Sequence, residues 1–315
     1  MKRLICVLFL LLSVVSVQAQ DEEARSLSIT VDDLERTYRL HVPDDLDEPA
    51  PLVMMLHGRG GDGEHIQTYT EFDVLADAEG FITVYPDGIN YGWDFVLGIP
   101  GYESTYDDTA FLIALLDHIA AEYPVDLSRV YMAGFSNGGF MAQRVACANP
   151  TRFAAFASVA ASGFAGMRQV CLEPGTETAP MLLMHGTYDN IVLWNGMSVT
   201  RGDRTVQITY PVPETLAYWA EFNACQPEAE TDTLPKLGMS PGTYVRVLSV
   251  LCPEDTGVVL YTVVNGGHNW PGHPEGIPAD IAGNVNRDID ANREIWKFFK
   301  QHQRVQAEAT PEVED

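Results

Sequence analysis

The run Gly134-Phe135-Ser136-Asn137-Gly138 has the G-x-S-x-G form of a nucleophile elbow. A serine on a sharp strand-to-helix turn projects its hydroxyl from the chain, and small neighbours keep that turn from clashing. The flanks fit this geometry: Val130 to Ala133 is an apolar run of strand length, and Gly139 to Ala148 continues as a helical pattern. A hydroxyl is a weak nucleophile until an imidazole accepts its proton and a carboxylate fixes the imidazole's tautomer. The chemistry in view is acyl transfer through Ser136.

Where such an elbow is used, the partners follow in the chain order Ser, acid, His. His268, His273 and His302 have an acid between themselves and Ser136, and His302 sits in a terminal helical pattern. His268, within Asn265-Gly266-Gly267-His268-Asn269-Trp270-Pro271-Gly272, follows the strand-like run Val258 to Val263. A loop there can carry an imidazole over a sheet edge, so His268 is the expected base and His273 the second choice. The acid is expected at Asp189, in the loop after Met181 to Met184; Asp203 and Asp255 have no strand leading into them.

Acyl transfer also needs donors for the oxyanion. One is expected from the backbone N–H of Asn137, and a second from Arg59 in the loop His57-Gly58-Arg59-Gly60-Gly61 after the strand Leu52 to Leu56. The Arg59 side chain is left to a substrate carboxylate or to solvent, and His57 to holding the loop by hydrogen bonds. Trp93, Trp194 and Trp270 fall in three loops at the same sheet edge and are expected to line the substrate pocket. There is no H-E-x-x-H, no Walker loop and no G-x-G-x-x-G after a strand, so neither a metal nor a cofactor is expected.

The elements that must position these residues alternate. Leu27 to Val31 and Arg36 to Val42 read as a hairpin about Asp32-Asp33; then Leu52 to Leu56, Phe81 to Tyr85, Val130 to Ala133, Pro180 to Met184 and Val258 to Val263 alternate with helical segments. The clearest helix runs from Asp107 or Asp108 to Tyr123, and a last one from Asp288 to His302. Alternation of this kind implies an α/β class: an α/β-hydrolase fold, with a mostly parallel sheet covered by helices on both faces. The stretches Leu193 to Val212 and Gln226 to Gly242 lose the pattern and are expected as irregular insertions over the sheet's carboxyl edge.

The N-terminus, Met1-Lys2-Arg3, the apolar run Leu4 to Val17 and then Val17-Gln18-Ala19, reads as a secretory signal over 1–19. The run is shorter than the roughly 18 apolar residues of a membrane span, so no stable membrane anchor is expected. The catalytic domain is expected over 20–302 and an acidic disordered tail over 303–315. Export implies an oxidising compartment, extracellular or periplasmic. Of the five cysteines Cys6 lies in the signal, and the remaining four, Cys147, Cys171, Cys225 and Cys252, suit two disulfides. Three pairings are possible, with adjacency favouring Cys147–Cys171 and Cys225–Cys252. The formal charge is −25, and −27 once Lys2 and Arg3 are removed. Nucleic acid and anionic membranes are excluded as partners; the acids are scattered and read as solvated surface.

With these residues placed, the chain resembles the secreted esterases that include feruloyl esterases, acetylxylan esterases and poly(3-hydroxybutyrate) depolymerases. The matching stretches are Leu56-His57-Gly58, Tyr85-Pro86-Asp87-Gly88, Asp107-Asp108, Gly134 to Gly139, His185-Gly186-Thr187-Tyr188-Asp189, Gly266 to Gly272 and Ile295-Trp296-Lys297-Phe298-Phe299. The resemblance implies Ser136 as nucleophile, Asp189 as acid and His268 as base, and no cofactor. The chain departs from it at Ile191-Val192-Leu193-Trp194, where family members often carry Val-Pro. The function expected is a carboxylic-ester hydrolase acting on a small or polymeric ester, with ferulate-type side groups of plant polysaccharide as the first substrate class. Poly(3-hydroxybutyrate) or its oligomers are the alternative, and a non-catalytic binding protein on a hydrolase scaffold is the remote one, since elbow and triad are intact.

Overall fold

A computed structural model describes residues 26–46, 49–96, 106–240, 242–253, 256–273 and 278–304. The expected signal, the tail beyond residue 304 and Asp255 lie outside the described residues. Among the described residues twelve strands are formed: β1 (Leu27–Val31), β2 (Leu34–His41), β3 (Ala50–Leu56), β4 (Ile82–Pro86), β5 (Val125–Phe135), β6 (Ala155–Val159), β7 (Met181–Gly186), β8 (Met197–Arg201), β9 (Arg204–Thr209), β10 (Ala229–Thr233), β11 (Tyr244–Val250) and β12 (Val258–Val264). The α-helices are α1 (Gly63–Thr70), α2 (Phe72–Glu79), α3 (Asp108–Glu122), α4 (Asn137–Ala148), α5 (Met167–Val170), α6 (Val212–Phe222), α7 (Ala279–Ala282) and α8 (Ala291–Phe299).

The opening hairpin β1–β2 turns at Asp32 and Asp33, whose φ angles of 50° and 62° are the paired positive values of a two-residue hairpin turn. It leads into a ten-stranded sheet ordered β1-β2-β4-β3-β5-β6-β7-β12-β11-β10. From β4 to β12 every neighbouring pair is parallel. The outer pairs are antiparallel. The parallel strands are buried on both faces, which is why β3, β4, β6 and β7 read as unbroken apolar runs.

Alternate residues of β3 divide the core. Leu52, Met54 and Leu56 pack with Phe111 and Leu115 of α3, Met141 and Val145 of α4 and Trp219 of α6. Val53 and Met55 pack with Ile66 of α1, Phe72 of α2 and Ile295 and Phe299 of α8. Asp107 caps α3 by accepting from the N–H of Ala110, and Asp290 caps α8 in the same way through Asn292.

Two expectations are corrected. Leu193 to Val212 is not irregular: Met197–Arg201 and Arg204–Thr209 pair as a separate antiparallel hairpin. Gln226 to Gly242 does not lie wholly over the carboxyl edge, because Ala229–Thr233 extends the sheet as its last strand. That strand, AETDT, is exposed throughout and has no apolar alternation to reveal it, and its acids discourage pairing with another chain's edge. Disulfides join Cys147 to Cys171 and Cys225 to Cys252. They tie the end of α4 to the residue after α5, and the segment past α6 to the β11–β12 loop. Among the described residues no helix is long and apolar enough to cross a membrane.

Candidate active site

In the sheet order β4-β3-β5 the chain reverses direction across the sheet, and loops leaving the carboxyl ends of neighbouring strands open a crevice there. Ser136 leaves β5, the Gly58–Arg59 loop leaves β3, Asp189 follows β7 and His268 follows β12. Ser136 and His268, 132 positions apart, thus meet at one sheet edge.

Ser136 has φ 53° and ψ −116°, a conformation L-residues rarely adopt. The turn closes only because its flanks lack side chains: a Cβ on Gly134 would overlap the Gly138 carbonyl, and one on Gly138 would overlap that of Leu56. The Ser136 N–H donates to the Val159 carbonyl of β6 at 2.8 Å, which helps hold the strained residue in place.

The Ser136 hydroxyl lies 2.9 Å from His268 Nε2, and His268 Nδ1 lies 2.8 Å from Asp189 Oδ2. With an ionised Asp189 as acceptor, the imidazole proton sits on Nδ1 and leaves Nε2 to accept from the serine. His268 and Asp189 are buried, at 2% and 3% exposure, whereas Ser136 is half-buried and reachable. The other carboxylate oxygen, Oδ1, accepts from the N–H groups of Ile191 (2.9 Å) and Val192 (2.7 Å), so the acid cannot rotate away from the imidazole.

Behind Asp189 stands a second imidazole without an assigned role in the sequence reading. His185 Nε2 donates to the Val192 carbonyl at 2.8 Å and lies 3.4 Å from Asp189 Oδ2. Burial holds its pKa below the ordinary histidine value, and the Asp189 charge only partly offsets that, so His185 is neutral. The signal that could have found it is its position four residues before the acid at the end of a buried strand.

On the other side of the serine, a Cβ on Gly58 would stand 3.4 Å from Ser136 Cβ, which places the β3 loop against Ser136. His57 holds that loop. Its Nδ1 donates to the Gly58 carbonyl at 2.8 Å, its Nε2 accepts from the Gly88 N–H at 2.9 Å, and its own carbonyl accepts from the Trp93 indole at 2.9 Å. Burial lowers the His57 pKa too, in keeping with a neutral ring that donates at one nitrogen and accepts at the other. Asp108, at the start of α3, accepts from Arg36 and from the Asp94 N–H, both at 2.7 Å, anchoring the far end of the same loop system.

The three expected pocket tryptophans do not form a common lining. Trp93 and Trp270 are buried, at 3% and 1% exposure, and belong to the cores on opposite faces of the sheet. The Trp270 indole donates to Asn292 Oδ1 at 2.8 Å, a bond that commits it to α8. Trp194 is half-buried, its ring 6.1 Å from that of His185. The exposed apolar side chains on the acid loop are instead Tyr188, Ile191 and Leu193. Of the remaining candidates, His273 packs against the Tyr69 ring at 4.6 Å, His302 packs on Phe298, and Asp203 lies in the β8–β9 turn. The arrangement of Ser136, His268 and Asp189 can move a proton from a hydroxyl to a ring nitrogen beside a fixed carboxylate, as nucleophilic catalysis on an acyl group requires.

The esterase PHB depolymerase family model matches residues 36–172. A probable feruloyl esterase C of Aspergillus clavatus is 30% identical over 272 residues, covering 84% of this chain and 83% of that protein. Feruloyl esterase C of Emericella nidulans is 27% identical over 272 residues, with the same coverage of each. Among solved structures, the acetyl xylan esterase from Aspergillus awamori superposes with a TM-score of 0.59 at 16% identity, covering 88% of this chain and 99% of that one, a likeness of fold.

Proposed function

We propose that this chain, a carboxylic-ester hydrolase belonging to the esterase family that holds the feruloyl esterases C and the PHB depolymerase esterases, works through an acyl-enzyme on Ser136. The observation that carries this reading is the continuous relay Ser136 Oγ, His268 Nε2, His268 Nδ1, Asp189 Oδ2. His268 takes the Ser136 proton as Oγ attacks the ester carbonyl, and returns it to the departing alcohol oxygen. Water then enters, loses a proton to His268 and attacks the acyl-serine, releasing the acid and restoring the serine hydroxyl. Asp189 keeps the ring's proton on Nδ1 and stabilises the imidazolium. The backbone N–H groups of Asn137, first residue of α4, and Arg59 receive the oxyanion; helix N-termini leave their first N–H groups without helical partners.

The substrate class favoured is an ester of a planar or apolar acyl group such as ferulate on plant polysaccharide or its fragments. The exposed Tyr188, Ile191 and Leu193 beside Asp189 supply apolar surface for such a group, and the relatives named above carry feruloyl esterase in their names. A hydroxybutyrate oligomer is the second reading, favoured by the name of the matching family model. The protein acts outside the cytosol, after removal of residues 1–19, and two disulfides support that compartment. Rates on methyl ferulate, an acetylated xylan fragment and a 3-hydroxybutyrate oligomer, for the wild type and Ser136→Ala, test the reading. A preference that vanishes in the variant assigns both the substrate and the nucleophile. Equal rates in both proteins would show that Ser136 is not the nucleophile.

A further inference from the structure

The chain carries 44 acidic against 19 basic side chains. Arg36, Arg39, Arg129, Arg152, Arg168 and Arg293 each hold a carboxylate. Arg59 is exposed and, among the described residues, has none.

Its position is set from three directions. The preceding residue, Gly58, abuts Ser136. The following one, Gly60, donates its N–H to the Tyr91 carbonyl at 2.7 Å, fastening the β3 loop to the turn in which Asn90 and Tyr91 both take positive φ. The side chain lies across the next residue of that turn: a Cβ on Gly92 would overlap Arg59 Nη1 and stand 2.9 Å from Arg59 Cδ and 3.1 Å from Asn137 Oδ1. A guanidinium thus rests beside the residue that follows the nucleophile, its stem supported by a glycine and its charge unspent.

From this we infer that Arg59 is a specificity residue that binds a carboxylate carried by the ester substrate close to the scissile bond. Guanidinium is the side chain best matched to a carboxylate, through two parallel N–H donors. The chain's overall negative charge repels an anionic ligand at long range, and a cation at the point of binding is what offsets that repulsion. A carboxylate beside an ester has two sources, the free end of a hydroxyacid oligomer and a uronic acid in the alcohol part of a polysaccharide ester. The inference rests on the Ser136 reading above and deepens it.

The test uses two substrate pairs with the full chain, Arg59→Gln and Arg59→Lys: a 3-hydroxybutyrate dimer against its methyl ester, scored at the internal ester, and a feruloyl ester of glucuronic acid against that of glucose. The expected result is a higher kcat/KM for the acid in at least one pair, with that preference ratio falling tenfold or more in Arg59→Gln and partly kept in Arg59→Lys. Preference confined to the first pair assigns the carboxylate to a hydroxyacid, and preference confined to the second assigns it to a uronic acid. Thermal melts of both variants check that each is folded. No preference for the acid in either pair, or a ratio unchanged in folded Arg59→Gln, overturns the inference while leaving the esterase reading in place. Absence of turnover on all four esters, with no fluorophosphonate adduct at Ser136, overturns the Ser136 reading and this inference with it.

Discussion

Asn137 and Trp93 exchange two hydrogen bonds: Asn137 Oδ1 accepts from the Trp93 N–H at 2.6 Å, and Asn137 Nδ2 donates to the Trp93 carbonyl at 3.2 Å. The residue whose backbone is proposed to receive the oxyanion therefore uses its side chain to clamp the loop that carries Trp93. Through the Trp93 indole and His57, that clamp reaches the β3 loop on the opposite side of the nucleophile.

Asn137→Ala keeps the backbone N–H and removes the clamp. Misplacing a reacting group by about 1 Å costs on the order of 100-fold in rate, so kcat is expected to fall by about 10- to 100-fold with a smaller change in KM. Steady-state kinetics on a neutral aryl ester check this. An unchanged kcat would show that the loop is held without Asn137.

Asp189→Asn preserves shape but presents an amide where His268 Nδ1–H donates, favouring the wrong tautomer. A fall of about 10⁴-fold in kcat is expected, by analogy with the same change in a serine protease triad. The near-full retention of folding expected alongside it is read from the near-UV circular dichroism.

His57 and His185 are both kept neutral by burial, with pKa values below the ordinary 6.5. Below pH 6.5 the unfolded chain binds protons at these positions that the folded chain does not, so their contribution is fully present above that pH and is lost as pH falls. Thermal midpoints are expected to be level above pH 7 and to drop as pH falls below 6.5. His185→Asn should flatten that drop, and an unaltered pH slope would assign it to other groups.

The disulfides close segments with sequence separations of 24 and 27. Loops of this size are stabilised by about 3 kcal/mol through the loss of unfolded-state freedom. The paired change Cys225→Ala with Cys252→Ala is expected to lower ΔG of unfolding by about that amount in urea titrations. Intact mass of the oxidised protein should rise by four hydrogens on reduction, and four free thiols before reduction would contradict the pairing.

Much of the fold was legible because it is written in short-range pattern. Buried parallel strands appear as apolar runs, Asp107 caps the first turn of α3, and the two aspartates of the β1–β2 turn tolerate positive φ. The elbow is local as well, since the strain at Ser136 is relieved by glycines two residues away on either side. Chain order then narrowed the histidine and the acid.

Legibility ended where a side chain's neighbours come from distant segments. Trp93 and Trp270 stand next to chemistry in sequence, yet their rings turn into the cores on opposite faces of the sheet, and no periodicity reports that direction for a loop residue. The strand β10 lacks an apolar stripe because it is exposed throughout, so only its pairing with β11 reveals it. By itself the sequence determined which residue types could do acyl transfer and the strand ends from which they would come, because turn strain and burial act over a few residues. The tertiary structure alone decided that His268 Nε2 meets Ser136, that His185 backs Asp189 and that Arg59, without a carboxylate partner among the described residues, lies beside Asn137. Those contacts depend on strand order, and strand order is set by packing across the whole sheet.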